Sequence, residues 1–485
     1  MNTLDKARKF EKEKGAFITQ RPMFHVTPRV GWMNDPNGFS LYQGEAHLFY
    51  QYHPYDTVWG PMHWGHCKTK DFIKWEDLPA ALAPDESYDF AGCFSGSAIE
   101  NNEKHVLFYT GVKEQTAADG TKQVFQNQCI AVGNGIDYEK ILKTPVIDGR
   151  HLPDGCSNAD FRDPKVWSDG DKFYMVVGSK NQSQDGQVLL FRSETLEDWE
   201  HVSVLAANRK RFGKMWECPD FFELDEKNVL IVSPQEMSAQ EYEFHNGNNV
   251  IYFVGSYDKE HHSYTEEHVA AVDYGLDFYA PQTMTAADGR RIMIGWMQSW
   301  DTYFKPQDQN WMGMMTIPRE LSIKANRLVQ SPVRELENYR RNKVAYRQEI
   351  VAGSRRFEGI SGRILDLSIE LISGDYEQFA VHFAHNEKYT VACSYNKRNG
   401  ILRFDRTHSG VTRDIACSRE MKVQGSSEGL KLRLILDKYS AEIFVNDGRQ
   451  VLSSVFYTPL DAQEIVFKCD GSVKINVEKY DIVVA

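Results

Sequence analysis

The stretch GWMNDPNGF, residues 31–39, sets a carboxylate, Asp35, between an amide and a proline and close to Trp32 and Met33. A surface turn accounts for Asp-Pro-Asn-Gly, because proline presets φ and Asn-Gly tolerates positive φ. It has no need of the two large apolar residues. Two further acids lie in short segments of similar character, Asp163 in RDP (162–164) and Glu217 in WECPD (216–220). Three carboxylates drawn into one concave site repel one another, so one tends to keep its proton near neutral pH while another stays ionised. That division of labour suits the breaking of a glycosidic bond, in which an acid protonates the leaving oxygen and a carboxylate attacks the anomeric carbon or activates water. At 12% aromatic, the chain has rings enough to line a surface as well as a core, and Trp32, Trp59, Phe94, Trp216 and Tyr279 are candidate sugar-stacking walls.

Residues so far apart meet only if a repeated architecture brings them together. One strand-like phrase recurs: EAHLFYQY (45–52), EKHVLFYTG (103–111), GDKFYMVVGS (170–179), EKNVLIVSP (226–234) and GRRIMIGWM (289–297). The copies follow polar turns at a spacing of roughly 60 residues, which reads as five equivalent modules. A second phrase, KDFIKWEDLPAAL (70–82), resembles ETLEDWEHVSVLA (194–206), with GIDYEKILKTPV (135–146) as a weaker third. Short runs rich in Val, Ile, Phe and Tyr, broken by Gly, Asn and Asp, read as antiparallel strands. Modules of this size fit the four-stranded blades of a β-propeller around a central channel, with a β-sandwich series or β-solenoid as the alternatives. About ten residues before each phrase lies a polar motif: NDPNG (34–38), FSGS (94–97), RDP, WECPD and DFYAPQ (277–282). In a propeller these face one another across the channel, so Asp35, Asp163 and Glu217 converge.

The expected organisation is all-β: a five-bladed propeller over 1–330 with a short helical lead-in, a linker over 331–350 in which RELENY is helical, and a β-sandwich over 351–485. The last is read from alternating runs such as RILDLSIELI (363–372) and SVKINVEKYDIV (472–483). Its expected role is packing against the propeller or association, which leaves room for a homodimer.

A net charge of −12 offers no basic patch to nucleic acid or anionic lipid. The charged N-terminus lacks a secretory apolar region and no run of about 18 apolar residues occurs, so a soluble, cytoplasmic protein is expected. The eight cysteines are scattered without a C-x-x-C, which argues for free thiols over a disulfide framework or a cysteine-zinc site. His63 and His66 in HWGH stand at a spacing that binds metal on a helix, but the flanking Trp and Gly indicate a strand or turn. No metal and no cofactor are expected. His261 and His262 lie in an acidic stretch and are expected to be exposed.

With WMNDPNG, FSGSA, FRDPKVW, WECPDFF and FYAPQT in this order, the chain from about Phe24 to its C-terminus resembles glycoside hydrolase family 32, the invertases, sucrose-6-phosphate hydrolases and fructan hydrolases. The resemblance implies Asp35 as nucleophile, Glu217 as general acid/base and Asp163 as stabiliser of the transition state through fructosyl hydroxyls. By the same resemblance Asn34 holds Asp35, Arg162 orients the carboxylates, and Gln51 bonds the fructosyl unit or Asp35. Trp59, Phe94, Ser95, Tyr279 and Trp296 line the pocket. The implied reaction is a retaining double displacement through a covalent fructosyl-enzyme. The expected substrate is sucrose or sucrose 6-phosphate, with short fructooligosaccharides as the nearest rival and transfer to another sugar as a further one. Loops around 180–186, 235–249 and 298–311 are expected to decide among them. A non-catalytic sugar-binding protein would be expected to lack one of the acids, and an inverting arabinosidase or xylosidase propeller would not carry the full WMNDPNG and WECPD segments.

Overall fold

The computed structural model describes residues 2–15, 20–306, 309–411, 415–425 and 429–484. Five sheets of four antiparallel strands form the first part of the chain, their strands consecutive except that the short Trp311–Met312 interrupts the fifth and joins the first. They comprise Gly31–Tyr42 through Glu76–Leu82, Gly92–Asn101 through Tyr138–Glu139, Phe161–Asp169 through Glu200–Ala207, Trp216–Leu224 through Ser263–Ala271, and Tyr279–Thr285 through Arg327–Pro332. The first strands of successive sheets lie side by side and the fifth lies beside the first, so the sheets are the blades of a propeller.

Each of the five recurring phrases forms the second strand of its blade. A second strand is covered on both faces by neighbouring blades, and this is why runs such as VLIV and IMI are apolar without alternation. The tryptophan-bearing phrase leads into the fourth strands Glu76–Leu82 and Glu200–Ala207, while its weak copy yields only Tyr138–Glu139. Ring closure comes from far along the chain: Trp311–Met312 pairs in parallel with Gly31 and Trp32, and the Gly31 amide donates to the Asn310 carbonyl at 2.9 Å.

The helix Thr3–Lys14 is capped by Asn2, whose side chain accepts from the Asp5 amide, and it packs on the first blade through Ala7 and Glu11. The segment 331–350 holds the end of a strand, a 3-10 helix at Arg334–Tyr339 and the first half of the long strand Arg340–Arg355. That strand pairs along Glu464–Ile482. On its other edge Glu464–Ile482 pairs first with Gln378–His385 and then with Leu365–Asp375, so one long antiparallel pair serves both layers of a sandwich-like domain. His63 and His66 sit in the strand His63–Thr69, where His66 meets His47 at 2.9 Å and His63 faces the Pro61 carbonyl. His261 is exposed; His262, against expectation, is half-buried, because its ring takes a 2.7 Å hydrogen bond with the Tyr257 hydroxyl.

Propeller and sandwich meet along the edge strand Gln450–Val455, where the amides of Tyr274 and Asp277 donate to the carbonyls of Val451 and Ser453. Buried charges reinforce this seam. Arg319 bonds Glu442 (Nε to Oε2, 3.0 Å) and Asp273 (Nη1 to Oδ2, 3.0 Å), and His25 lies between Asp437 (2.9 Å) and Glu442 (3.0 Å). Burial works against a charged His25, but its bonds to Asp437 and Glu442 prevail and its pKa is pushed up to about 9.

Candidate active site

Every first strand carries an irregularity at its motif, so that extra residues are left without a ladder partner. Asn34 and Asp35 together oppose Gln51, Asp163 and Pro164 oppose Val177, Cys218 and Pro219 oppose Val232, and Ala280 and Pro281 oppose Gly295. In the second blade Ser95 is the inserted residue. Proline suits these places because a bulge residue need not donate to the ladder. Asp163 (φ 68°), Cys218 (φ 48°) and Ala280 (φ 48°) all precede proline with positive φ, an arrangement unusual for residues with side chains. Strain of this kind persists where the surroundings over-determine it. Gly96 of FSGS is required by space: a Cβ there would stand 1.9 Å from the Phe108 carbonyl oxygen.

The three acids do not occupy one repeat position. Glu217 is the last paired residue before its bulge, Asp163 the first bulge residue and Asp35 the second. The offset points their carboxylates differently into a common space. Asp35 Oδ1 accepts from Asn34 Nδ2 (3.1 Å) and Oδ2 from Ser95 Oγ (2.7 Å). Asp163 Oδ2 accepts from the Cys218 amide (2.9 Å), and the Cys218 thiol lies 3.6 Å from Oδ2 of both aspartates. Glu217 is held otherwise: Arg162 donates Nε to Oε1 at 3.0 Å with Nη2 at 2.9 Å, and the Tyr279 hydroxyl donates to Oε2 at 2.6 Å.

Burial, and then the charge of Glu217, push Asp35 up to about 6 against the hydrogen bonds from Ser95, Asn34 and Cys218. Asp163 is also raised: burial dominates, Arg162 opposes it, and Glu217 and Asp35 add to it. Burial holds the Tyr279 phenol well above its usual range, so it stays a donor. Both aspartates therefore hold a proton to higher pH than exposed carboxylates would, a perturbation of the kind found at catalytic sites.

The other anticipated residues are placed as follows. Ser95 touches Asp35 directly. Gln51 reaches the carbonyl of Cys93 at 2.9 Å and, with the Asn37 amide oxygen turned towards it, Asn37 at 3.0 Å; Asn37 continues to Ser95 Oγ at 3.2 Å. Gln51 thus supports Asp35 at two removes. Trp59 is 49% exposed at the rim, edge-on to the half-buried Phe94. Trp32 is buried, with its indole N–H on Asn34 Oδ1 at 2.7 Å. Trp296 is buried behind it, ring centroids 6.0 Å apart, and Trp216 lies in the core against Phe253.

Several participants escaped the sequence reading. Cys218 was in view inside WECPD but passed over beside Glu217. Thr110 lies within a recurring phrase, one residue before its end, and its hydroxyl accepts from the Asp163 amide at 2.9 Å. Gln126 accepts from Arg162 Nη1 at 3.3 Å, a role with no local signal. Trp300 and Tyr303 fall in the 298–311 loop, of which 307–308 lie outside the described residues. Trp300 stacks on Trp32 at 6.1 Å and Tyr303 meets it edge-on at 5.5 Å. No group of His, Cys, Asp and Glu suited to a metal ion occurs among the described residues, and among them no helix is long and apolar enough to cross a membrane.

Residues 25–332 match the model of the glycosyl hydrolases family 32 N-terminal domain, and residues 335–483 that of the family 32 C-terminal domain. A sucrose-6-phosphate hydrolase of Zymomonas mobilis is 37% identical over 468 residues, covering 92% of this chain and 88% of the relative. A raffinose invertase of Escherichia coli is 36% identical, covering 92% and 91%. Among solved structures, a GH32 β-fructofuranosidase of Bombyx mori superposes with a TM-score of 0.85 at 32% identity, covering 99% of this chain and 97% of that one.

Proposed function

We propose, from the premise that this chain belongs to glycosyl hydrolase family 32, that it is a β-fructofuranosidase releasing the terminal fructosyl unit of sucrose or sucrose 6-phosphate. The observation that carries this reading is the unequal treatment of two acids in one site. Asp35 is held by neutral donors alone, with Asn34 and Ser95 fixing both oxygens, which orients it without cancelling its charge. Glu217 instead accepts from the Arg162 guanidinium and the Tyr279 hydroxyl, so the two acids sit in different electrostatic surroundings.

In the reaction, Asp35 attacks the anomeric C2 of the fructosyl unit while Glu217 gives its proton to the glycosidic oxygen. The C2–O bond breaks and a covalent fructosyl-enzyme forms. Water, deprotonated by Glu217, then attacks C2 and returns Asp35 as carboxylate, so the configuration is retained. Repulsion between Asp35 and Glu217 favours one shared proton on the pair. Asp163, held by the Cys218 amide, accepts from fructosyl hydroxyls as positive charge builds on the ring.

The names of the relatives favour the phosphorylated disaccharide alongside sucrose. The exposed rings Trp59 and Tyr303 favour, as a second reading, short fructooligosaccharides, whose further units would stack there. The test is kcat/KM on sucrose, sucrose 6-phosphate and 1-kestose, together with the anomer formed when methanol replaces water. Methyl β-fructofuranoside as first product supports the double displacement. The α anomer excludes it, and a preference for 1-kestose moves the protein to the second reading.

A further inference from the structure

The loop 299–304 has two faces. Trp300 and Tyr303 turn to Trp32, whose indole N–H fixes Asn34 and through it Asp35. Thr302 and Phe304 turn the other way, Thr302 to Asp277 on the propeller side of the seam and Phe304 against the sandwich. Thr302 Oγ1 donates to Asp277 Oδ1 at 2.8 Å, and Phe304, 1% exposed, packs edge-on against Tyr457 at 5.1 Å. Both contacts converge on one residue of the sandwich. The Arg406 guanidinium donates to Asp277 Oδ2, to the Val455 carbonyl at 2.6 Å and to the Ala416 carbonyl at 3.1 Å, and lies 4.8 Å over the Phe304 ring. Asp277 opens the DFYAPQ motif, two residues before the Tyr279 that bonds Glu217.

We infer that Arg406 is a positioning residue for the reaction: from the sandwich domain, through Asp277, Thr302 and Phe304, it fixes the loop whose Trp300 and Tyr303 form the wall for the leaving group beside Asp35. The physical reason lies in where the contacts are made. Asp277 and Arg406 are buried, so their attraction is little screened and either one alone would be an unpaired buried charge. The rings of Trp300 and Tyr303 gain no such anchor of their own, since Trp300 is half-buried and Tyr303 is 46% exposed. Packing on Trp32 orients them only if the backbone between them is held from behind. The inference rests on Asp35 marking the fructosyl subsite, as proposed above.

The experiment compares sucrose with methyl β-D-fructofuranoside, whose leaving group is too small to touch the wall. For Arg406→Gln, KM for sucrose rises about 10-fold with kcat changed by less than about 2-fold, while kcat/KM on the methyl fructoside stays within about 2-fold of the parent. Arg406→Lys recovers part of the loss. Adding Trp300→Ala to Arg406→Gln brings no further loss on sucrose, because both remove the same wall. Thr302→Val cuts the loop end of the chain of contacts while keeping both buried charges, and gives the same substrate split if Arg406→Gln does not fold. His25→Gln, which loosens the seam away from the loop, leaves the ratio of the two substrates unchanged. Equal losses on both substrates, additive losses in the double variant, or a shifted ratio in His25→Gln would overturn the inference while leaving the proposed reaction standing. A parent enzyme that frees fructose from neither substrate would overturn both.

Discussion

Two buried clusters of charge in this molecule are built on opposite lines. At the seam, two cations, His25 and Arg319, lie among three carboxylates, and nearly every charged atom has a partner of opposite sign. In the channel, three carboxylates face one arginine, which is committed to Glu217, and both aspartates are pushed up. Charge satisfied in the fold stabilises; charge left in want of a partner is available to a substrate. Reactivity here is an absence of compensation, held in place by a frame that is fully compensated.

The largest break in this contrast is expected from Asp35→Ala or Glu217→Ala, which should lower kcat on sucrose on the order of 10⁴-fold, and for Asp35→Ala with the urea unfolding midpoint unmoved or raised. The reverse pattern is expected at the seam. Arg319→Met strands Glu442 and Asp273 and should cost about 3–5 kcal/mol in chemical unfolding.

Next come the two pH dependences, which have opposite sign. His25 is raised to about 9, so its stabilisation is complete below about 6.5 and is lost as pH rises through 9, about 3 kcal/mol in all. That loss should be absent in His25→Gln. Asp35 is raised to about 6 from 3.8, so its penalty is absent below 3.8 and complete above about 6. Asp35→Asn should therefore raise stability by about 2 kcal/mol at pH 7, allowing for solvent at the channel mouth, and by nothing at pH 4. In the parent, kcat/KM should climb with pH and level off above about 6, where Asp35 is ionised. The smallest effect is sought at the rim: Trp59→Ala should raise KM several-fold, about 1 kcal/mol of stacking, with kcat and stability unmoved.

How far the sequence reveals this design depends on whether a residue's neighbours are close in the chain. The blades were legible because a second strand covered on both faces must be apolar throughout, so LFYQY or VLIV stands out wherever it falls. Asp35, Asp163 and Glu217 were legible because each sits one or two residues before a proline in a motif tied to that strand. What could not be read is the offset among them, since the bulge registers that set Asp35 one place later than Asp163 depend on pairing across the blade. The same holds for Thr110 and Gln126, which act through partners in the neighbouring blade, and for His25 and Arg319, which share Glu442 more than a hundred residues away. Trp216 shows the converse: a ring inside a catalytic motif can belong wholly to the core.

The parallel pairing of Trp311–Met312 with Gly31 and Trp32 also bears on how the protein is made. A ribosome adds about 5–20 residues per second, so the strand carrying Asp35 waits on the order of tens of seconds for the segment that clasps it. Through that interval its inner edge is an open template, and pairings of such long sequence separation form slowly. The nascent chain is therefore most exposed to mispairing on the strand that will carry the nucleophile, and a chaperone acting on this protein would be needed chiefly until residue 312 has emerged.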